Sequence, residues 1–232
     1  MKNPAKRLYD DACATAHALD LVGERWALLV IRELMLGPRR FSDLRAALPG
    51  ISANVLTQRL EGLEADGLVV RRKLPPPATA QVYELTPWGY ESEPIFQALG
   101  RWAARSPSHD PRRPLSAVSL FLSFRTMADP ARLKGLTMRI GFRFGAETFL
   151  VRIAKGQLTV QRAPREELED ADAVFSGTPP AVAAAVYGGQ SLDSLIAQKA
   201  LHVTGDRAAA KAFTTLFTLP PKAAIPPGNE ND

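Results

Sequence analysis

Asn54 and Gln58 each carry a donor and an acceptor on one flat amide, the pattern that matches the edge of an adenine in a DNA major groove. They stand four residues apart in the stretch 51–72, with Thr57 and Arg59 beside Gln58. At about 100° per residue, Leu56, Leu60 and Leu63 fall on one helical stripe, and Asn54 and Gln58 point away from it with Thr57 on its flank. Ser52 is placed to cap the start of this helix, and Gly67 to supply the left-handed residue that ends it. Arg39 and Arg40 before the helix, and Arg71, Arg72 and Lys73 after it, supply charge suited to phosphate oxygens or an adjacent minor groove. The rival reading is a surface helix with polar outward residues and a solvated basic strand end, so the neighbouring elements decide.

Those neighbours form an ordered set. Residues 26–36 are mostly apolar and end at Gly37-Pro38, which predicts a buried helix. A shorter helix is predicted over 41–48, stopped by Pro49-Gly50. Helix, short helix, tight turn and helix is the helix-turn-helix order. Residues 68–74 and 81–86 are rich in strand formers and predict a hairpin. Pro75-Pro76-Pro77 in the connection favours a stiff, extended tip over a two-residue turn. Thr86-Pro87 then reads as a cap and first helical residue, opening a helix that carries Ile95, Phe96, Leu99 and Trp102 at three- and four-residue intervals. A winged helix has little core left for that stripe, so a partner subunit or a second domain is expected to cover it, with Pro94 placed to kink the helix.

Residues 13–104 resemble the HxlR family of bacterial winged-helix transcription regulators. The resemblance is carried by Cys13, Leu19-Asp20-Leu21-Val22-Gly23-Glu24-Arg25-Trp26, Arg40-Phe41-Ser42-Asp43-Leu44, Gly50-Ile51-Ser52, Val55-Leu56-Thr57-Gln58-Arg59-Leu60, Leu63-Glu64-Ala65-Asp66-Gly67-Leu68 and Tyr83-Glu84-Leu85-Thr86-Pro87-Trp88-Gly89. It implies double-stranded DNA as partner, a homodimer joined by terminal helices, and one recognition helix in each half of a palindromic site. Ala14 departs from the family pattern, which follows its cysteine with proline. Some members use a cysteine at the position of Cys13 to sense oxidants or electrophiles. Lys6, Arg7, Asp10 and Asp11 give this one mixed flanking charge, and a small hydrophobe near a dimer contact is the competing role.

At 232 residues the chain has room for two domains. The proline-rich run 106–114 reads as a linker, which gives a winged-helix domain over 1–105, a second domain over 115–220 and a disordered tail over 221–232. A net charge of +5 is mildly basic, so placement between Gly37 and Lys73, where Arg45 joins the residues named above, points to nucleic acid more than bulk charge does. No apolar run reaches the length of a membrane span, no signal peptide is visible, and the single cysteine fits a reducing compartment; a soluble cytoplasmic protein is expected.

The second domain opens with an apolar helix over 115–127. Alternating strands are predicted over 136–144, 148–154, 158–162 and 173–176, read as a small antiparallel sheet, with a short strand at 201–205. Helices follow from Thr178-Pro179-Pro180, Ser191 and Asp206 and are expected to cover one face. This order, with Asp172-Ala173-Val174-Phe175-Ser176-Gly177 and Leu201-His202-Val203-Thr204-Gly205-Asp206, resembles the sterol carrier protein fold over 116–219. The expected fold class is α+β, a winged helix-turn-helix followed by a sterol carrier protein-like antiparallel sheet covered by helices. That resemblance implies an apolar cavity, and Phe142, Phe144, Phe149, Val151, Phe175, Leu195, Phe213 and Phe217 are its candidate walls; plain core is the competing role for each. An apolar small-molecule effector that shifts the dimer on its operator follows as an expectation. The chain holds three histidines and one cysteine, with no nucleophile elbow, zinc-protease pair, paired cysteines or phosphate loop, so neither an enzyme nor a metal or cofactor site is expected. The alternative function is a lipid- or acyl-binding protein whose winged helix serves as a protein-interaction module.

Overall fold

The computed structural model describes residues 8–75 and 79–224. Lys6 and Arg7, the hairpin-tip residues Pro76, Pro77 and Ala78, and the last eight residues of the expected tail lie outside that set. The chain forms two compact units, Met1–Glu93 and Pro94–Asp232.

In the first unit, α1 (Ala14–Val22), α2 (Ala27–Leu34), α3 (Phe41–Ala47) and α4 (Ala53–Ala65) precede a hairpin of β1 (Val69–Lys73) and β2 (Gln81–Leu85). Val30, Ile31 and Leu34 of α2 are fully buried with Leu44 of α3 and the α4 leucines, Leu56, Leu60 and Leu63. Ser52 caps α4 by accepting from the Val55 N–H at 3.2 Å. The helix stops at Gly67, whose φ of +76° only glycine adopts without strain, and the Leu68 N–H then donates to the Leu63 carbonyl at 2.9 Å.

Thr86 ties the two ends of the hairpin together. Its N–H donates to the Leu68 carbonyl at 3.0 Å, its hydroxyl donates to the Gly67 carbonyl at 2.8 Å, and the same oxygen accepts from the Gly89 N–H at 3.0 Å. The helix it caps, α5 (Pro87–Tyr90), is a single turn. The apolar stripe belongs to a separate helix, α6 (Glu93–Ala104), so the expected continuous helix from Thr86 is corrected. Pro94 is the second residue of α6, where its missing N–H has no intrahelical partner to lose, so it starts a helix instead of kinking one.

By its contacts α6 groups with the second unit, whereas the sequence reading ends the first domain at residue 105. The Arg101 guanidinium donates to the Thr126 carbonyl. Residues 221–223 fasten its C-terminal end: Arg105 Nε donates to the Pro221 carbonyl at 3.3 Å, and the Ala223 N–H donates to the Arg105 carbonyl at 2.8 Å. Lys222 Nζ donates to the carbonyls of Ala104 and Ser106, both at 3.0 Å. The expectation of a disordered tail from 221 is therefore corrected for residues 221–224, because these bonds satisfy carbonyls at and beyond a helix end.

The rest of the second unit runs α7 (Ala117–Met127), α8 (Pro130–Leu133), β3 (Met138–Phe144), β4 (Glu147–Ala154), β5 (Gln157–Arg162), a 3-10 turn (Arg165–Leu168), β6 (Ala173–Gly177), α9 (Pro179–Val186), α10 (Leu192–Ala197), β7 (Leu201–Gly205) and α11 (Arg207–Thr214). The sheet order is β5-β4-β3-β6-β7. It is mixed and not antiparallel as expected, because β6 pairs with β3 in parallel. A chain leaving the edge strand β5 must cross the sheet to reach the far side of β3, and such a crossover delivers the next strand in the same direction as β3. The 3-10 turn makes that crossing, and its Leu168 sits over Gly141, where a Cβ would come within 2.9 Å of the leucine side chain.

Gly89 is the tightest joint of the first unit: a Cβ there would stand 2.2 Å from the Leu68 carbonyl oxygen. Gly89→Ala is expected to destabilise the first unit by about 1–3 kcal/mol through overpacking. Gly62→Ala, on α4 with open space at the Cβ position, is expected to stabilise it by about 0.5–1 kcal/mol. Urea unfolding followed by tryptophan fluorescence checks both signs.

Candidate nucleic-acid interface

Burial of the leucine stripe leaves Asn54, Thr57 and Gln58 exposed on the outward edge of α4, with Ser52 exposed at its start. Beyond the helix, Arg71, Arg72 and Lys73 are exposed on β1, and the Leu74 N–H donates to the Ala80 carbonyl at 2.9 Å, extending the pairing toward the tip. Arg40 is exposed at the start of α3, where the Asp43 carboxylate accepts from its N–H at 3.4 Å. Exposed amides on a helix with a basic hairpin behind it can read base edges and hold phosphates together.

Two predicted contacts are used elsewhere. Arg39 is 9% exposed, and its backbone exchanges hydrogen bonds with Tyr83 at 2.9 and 2.8 Å, adding a third rung of strand to the hairpin. Its assignment as a DNA contact is corrected, since a buried guanidinium does not reach a phosphate. Arg59 is half-buried and ion-paired with Glu24 at 3.1 Å, so it fastens α4 to the turn before α2 instead of facing a groove. Arg72 reaches across the hairpin to Glu84. Arg71 and Lys73 are the basic residues of the wing with no carboxylate partner among the described residues.

Sequence reasoning missed the Glu24 partner, the threefold bonding of Thr86 and the role of Trp26. Trp26 caps α2 with a φ of 80°, a left-handed conformation rare for a bulky residue, and its ring edge reaches within 3.9 Å of a Cβ built on Gly50. The signal was the aromatic immediately before an apolar helix; the direction of its ring has no sequence signature.

Cys13 is exposed at the N-terminus of α1. Donors at the open start of α1, the N–H and hydroxyl of Thr15 and then the N–H of Ala16, favour its thiolate and hold the thiol below the ordinary value, a push that flanking charge did not reveal. Helix α6 has no buried residue: Ile95, Leu99 and Trp102 lie on one face and are 47%, 42% and 74% exposed.

The predicted cavity walls meet inside the second unit. Phe142 stacks on Phe175 with centroids 5.3 Å apart, and Phe213 meets Phe217 edge-on at 5.1 Å. Phe144 and Phe149 pack around Phe121 of α7, at 6.0 and 4.6 Å. Phe217 stacks on Phe124 at 4.5 Å. Val151 and Leu195 are buried as well. Phe121 and Phe124 were not singled out from sequence, because α7 is apolar nearly all round and no periodicity marks a wall. Beside them Tyr187 and Ser123 share a hydrogen bond at 2.9 Å, and burial pushes the Tyr187 phenol well above its ordinary value.

Three helices, a capped fourth with exposed amides and a basic hairpin define a winged helix-turn-helix. Residues 21–110 match the family described as HxlR-like helix-turn-helix. The regulator YvaP of Bacillus subtilis is 38% identical over 86 residues, which are 37% of this chain and 80% of YvaP. The HTH-type transcriptional regulator YodB of the same organism is 38% identical over 86 residues, 37% of this chain and 77% of YodB. The solved structure of reduced YodB is 34% identical, spans 43% of this chain and all of that one, and has a TM-score of 0.38. The chain belongs to the HxlR-like helix-turn-helix family, and its first unit is that of a DNA-binding transcriptional regulator. Residues 108–223, half of the chain, match the family described as alkyl sulfatase C-terminal, where the sequence reading pointed to a sterol carrier protein.

Alkylation of Cys13 by iodoacetamide is expected to rise with pH through a midpoint lower than that of the same thiol in urea-unfolded protein. Coincident midpoints would show that the donors at the start of α1 do not act on the thiolate.

Proposed function

We propose that the protein regulates transcription as a homodimer on a palindromic operator, with α4 of each protomer in a major groove and the β1–β2 wing on the flanking backbone. The observation that carries this reading is the pairing of a buried leucine stripe with exposed Asn54, Thr57 and Gln58 on the opposite edge of one helix. A second copy is the occupant proposed for the exposed face of Ile95, Leu99 and Trp102, since the family resemblance joins protomers through terminal helices and a folded chain in water rarely leaves such a face uncovered.

Control by an apolar ligand is the proposed role of the second unit. Its support is the match to an alkyl sulfatase C-terminal family and a sheet face lined by apolar side chains except at one end, where the ion pair of Glu147 and Arg162 stands beside Phe144 and Phe149. The helix-covered mixed sheet is also compatible with the sterol carrier-like reading. A thiol-responsive mode through Cys13 is the second reading, favoured by its exposure and lowered thiol. Relatives described as a redox regulator HypR and a quinone-bound YodB add to that support.

Binding to DNA from the protein's own upstream promoter is the decisive assay. Gln58→Ala and Asn54→Ala are each expected to lose about 10- to 100-fold in affinity for the operator while leaving non-specific binding nearly unchanged. Arg71→Ala with Lys73→Ala is expected to weaken binding to all sequences and to reduce the slope of log affinity against log salt by about 0.9 for each phosphate that is no longer neutralised. Equal losses on all DNA for Gln58→Ala would remove α4 from the reading role. Absence of salt-sensitive binding would instead favour the protein-interaction alternative.

Sedimentation of Trp102→Asp tests the dimer. The variant is expected to run as a monomer where the parent runs as a dimer. A dimer unaffected by it would place the interface elsewhere.

A further inference from the structure

The sheet of the second unit has two faces with different fates. Ile140, Phe142 and Phe144 of β3 point into the aromatic interior, so Arg139, Gly141 and Arg143 belong to the outer face. The middle of that outer face is closed by the 3-10 turn, where Leu168 packs with Leu150, Val174 and Ala163. On one side of this cap the guanidinium groups find acceptors on Glu167. Arg152 pairs with Glu167 at 3.1 Å, and Gln161 donates to the same carboxylate at 3.3 Å. Arg139 donates to the Glu167 carbonyl at 3.3 Å.

On the other side of the cap the situation is reversed. Arg143 on β3 pairs with Ser176 on β6, and Ser176 pairs with His202 on β7, so the three residues stand in one row on adjacent strands, about 4.8 Å apart from strand to strand. Arg143 Nε is buried without a hydrogen-bond partner. Among the described residues, none of the three side chains has a hydrogen bond or an ion pair. Thr148 continues the row on β4, but its hydroxyl already donates to the Ala163 carbonyl. The row contains no carboxylate: its members are Thr148, Arg143, Ser176 and His202.

A buried guanidinium nitrogen with no acceptor carries a desolvation cost, and Arg139 Nε on the same face shares it. The difference is that the Arg139 guanidinium still donates to the Glu167 carbonyl, whereas Arg143 has no acceptor at all among the described residues. Glu167 supplies acceptors for Nη2 of Arg139 and of Arg152; none of the described residues supplies one for any nitrogen of the Arg143 guanidinium. A guanidinium, a hydroxyl and an imidazole side by side are three hydrogen-bond donors with a positive charge at one end. A compact anion with several acceptor oxygens fits that set, because the guanidinium binds two oxygens of one group at once while the hydroxyl takes a third.

We propose that Arg143, Ser176 and His202 form an oxyanion subsite on the outer face of this sheet, taking the sulfate, phosphate or carboxylate group of a small molecule. It lies on the face opposite the aromatic interior and does not depend on an apolar ligand being bound there. Arg143 supplies the bidentate contact, Ser176 the neighbouring hydroxyl, and His202 the exposed end that a larger ligand meets first.

The test is a titration of the full-length protein followed by NMR of arginine Nε–H groups, with sodium sulfate, sodium phosphate and sodium acetate in separate arms against sodium chloride at equal ionic strength. The Arg143 signal is assigned by its loss in Arg143→Lys. A saturable shift of that signal with at least one oxyanion and not with chloride is expected, and the arm that saturates tightest identifies the head group. Ser176→Ala and His202→Ala, which leave the guanidinium and the packed face intact, are each expected to weaken that binding about three- to tenfold. A shift that only drifts linearly, as with chloride, overturns the proposal. So does a saturable shift unchanged in both Ser176→Ala and His202→Ala, since the row would then not act as one site. Should Arg143→Lys fail to fold, those two variants still decide, with the Arg143 signal assigned through its backbone neighbours.

Discussion

Burial of Leu56, Leu60 and Leu63 against α2 is the interaction on which the first unit's chemistry depends. Removing a leucine side chain from water is worth about 1.5–3 kcal/mol, so the stripe fixes the rotation of α4 with roughly 5–9 kcal/mol in all. A single bidentate contact to a base is worth about 1–3 kcal/mol, too little to turn the helix and expose the stripe. The outward edge is therefore set before any DNA arrives, and in the function proposed above the residues on that edge carry the specificity. The wing inherits its direction from the same helix. Leu68 closes onto Leu63, and Thr86 then bonds both Gly67 and Gly89, so α4, the hairpin and α5 meet at one joint.

Features made by neighbours in sequence were legible. The Ser52 cap, the Gly67 stop and the leucine spacing are local, and the helix formed within a residue or two of where they place it. The same holds for the caps at Thr178, Ser191 and Asp206. What failed were assignments that depend on a distant partner. Arg39 reads as a free basic residue until Tyr83 pairs with its backbone, and Arg59 until Glu24 approaches it. Alternation placed Phe142, Phe149 and Phe175 on the correct inner face, but strand direction is set by the crossover over the outer face, which leaves no periodic trace. Thr86-Pro87 announced a helix start correctly; its length was hidden because Glu91 and Ser92 carry no stop signal as strong as glycine.

Charge works by placement in this chain. A net charge of +5 over 232 residues gives a weak field at a distance, and several cations near the interface are matched by carboxylates, Arg59 by Glu24 and Arg72 by Glu84. These pairs orient side chains and lower the sequence-independent attraction to phosphate. On the proposed binding mode, the exposed amides of α4 then contribute a larger share of the total than they would on a strongly basic surface, which favours discrimination between sites over tight binding to any DNA.

Helix α6 joins two kinds of surface. Its exposed face carries Ile95, Leu99 and Trp102, while its far end is held by residues 221–223. That strap begins in the aromatic interior: Phe217 stacks on Phe124, forms a bridge with Ala128, and is followed by the Thr218 N–H donating to the Met127 carbonyl at 3.0 Å. From Phe217 to Ala223 the backbone is bonded at both ends and contains Pro220 and Pro221, whose fixed φ angles limit how far the segment can bend. A stiff segment fixed at both ends transmits displacement instead of absorbing it. Any change in the packing of Phe217 therefore has a short covalent route to the end of the helix that presents the apolar face.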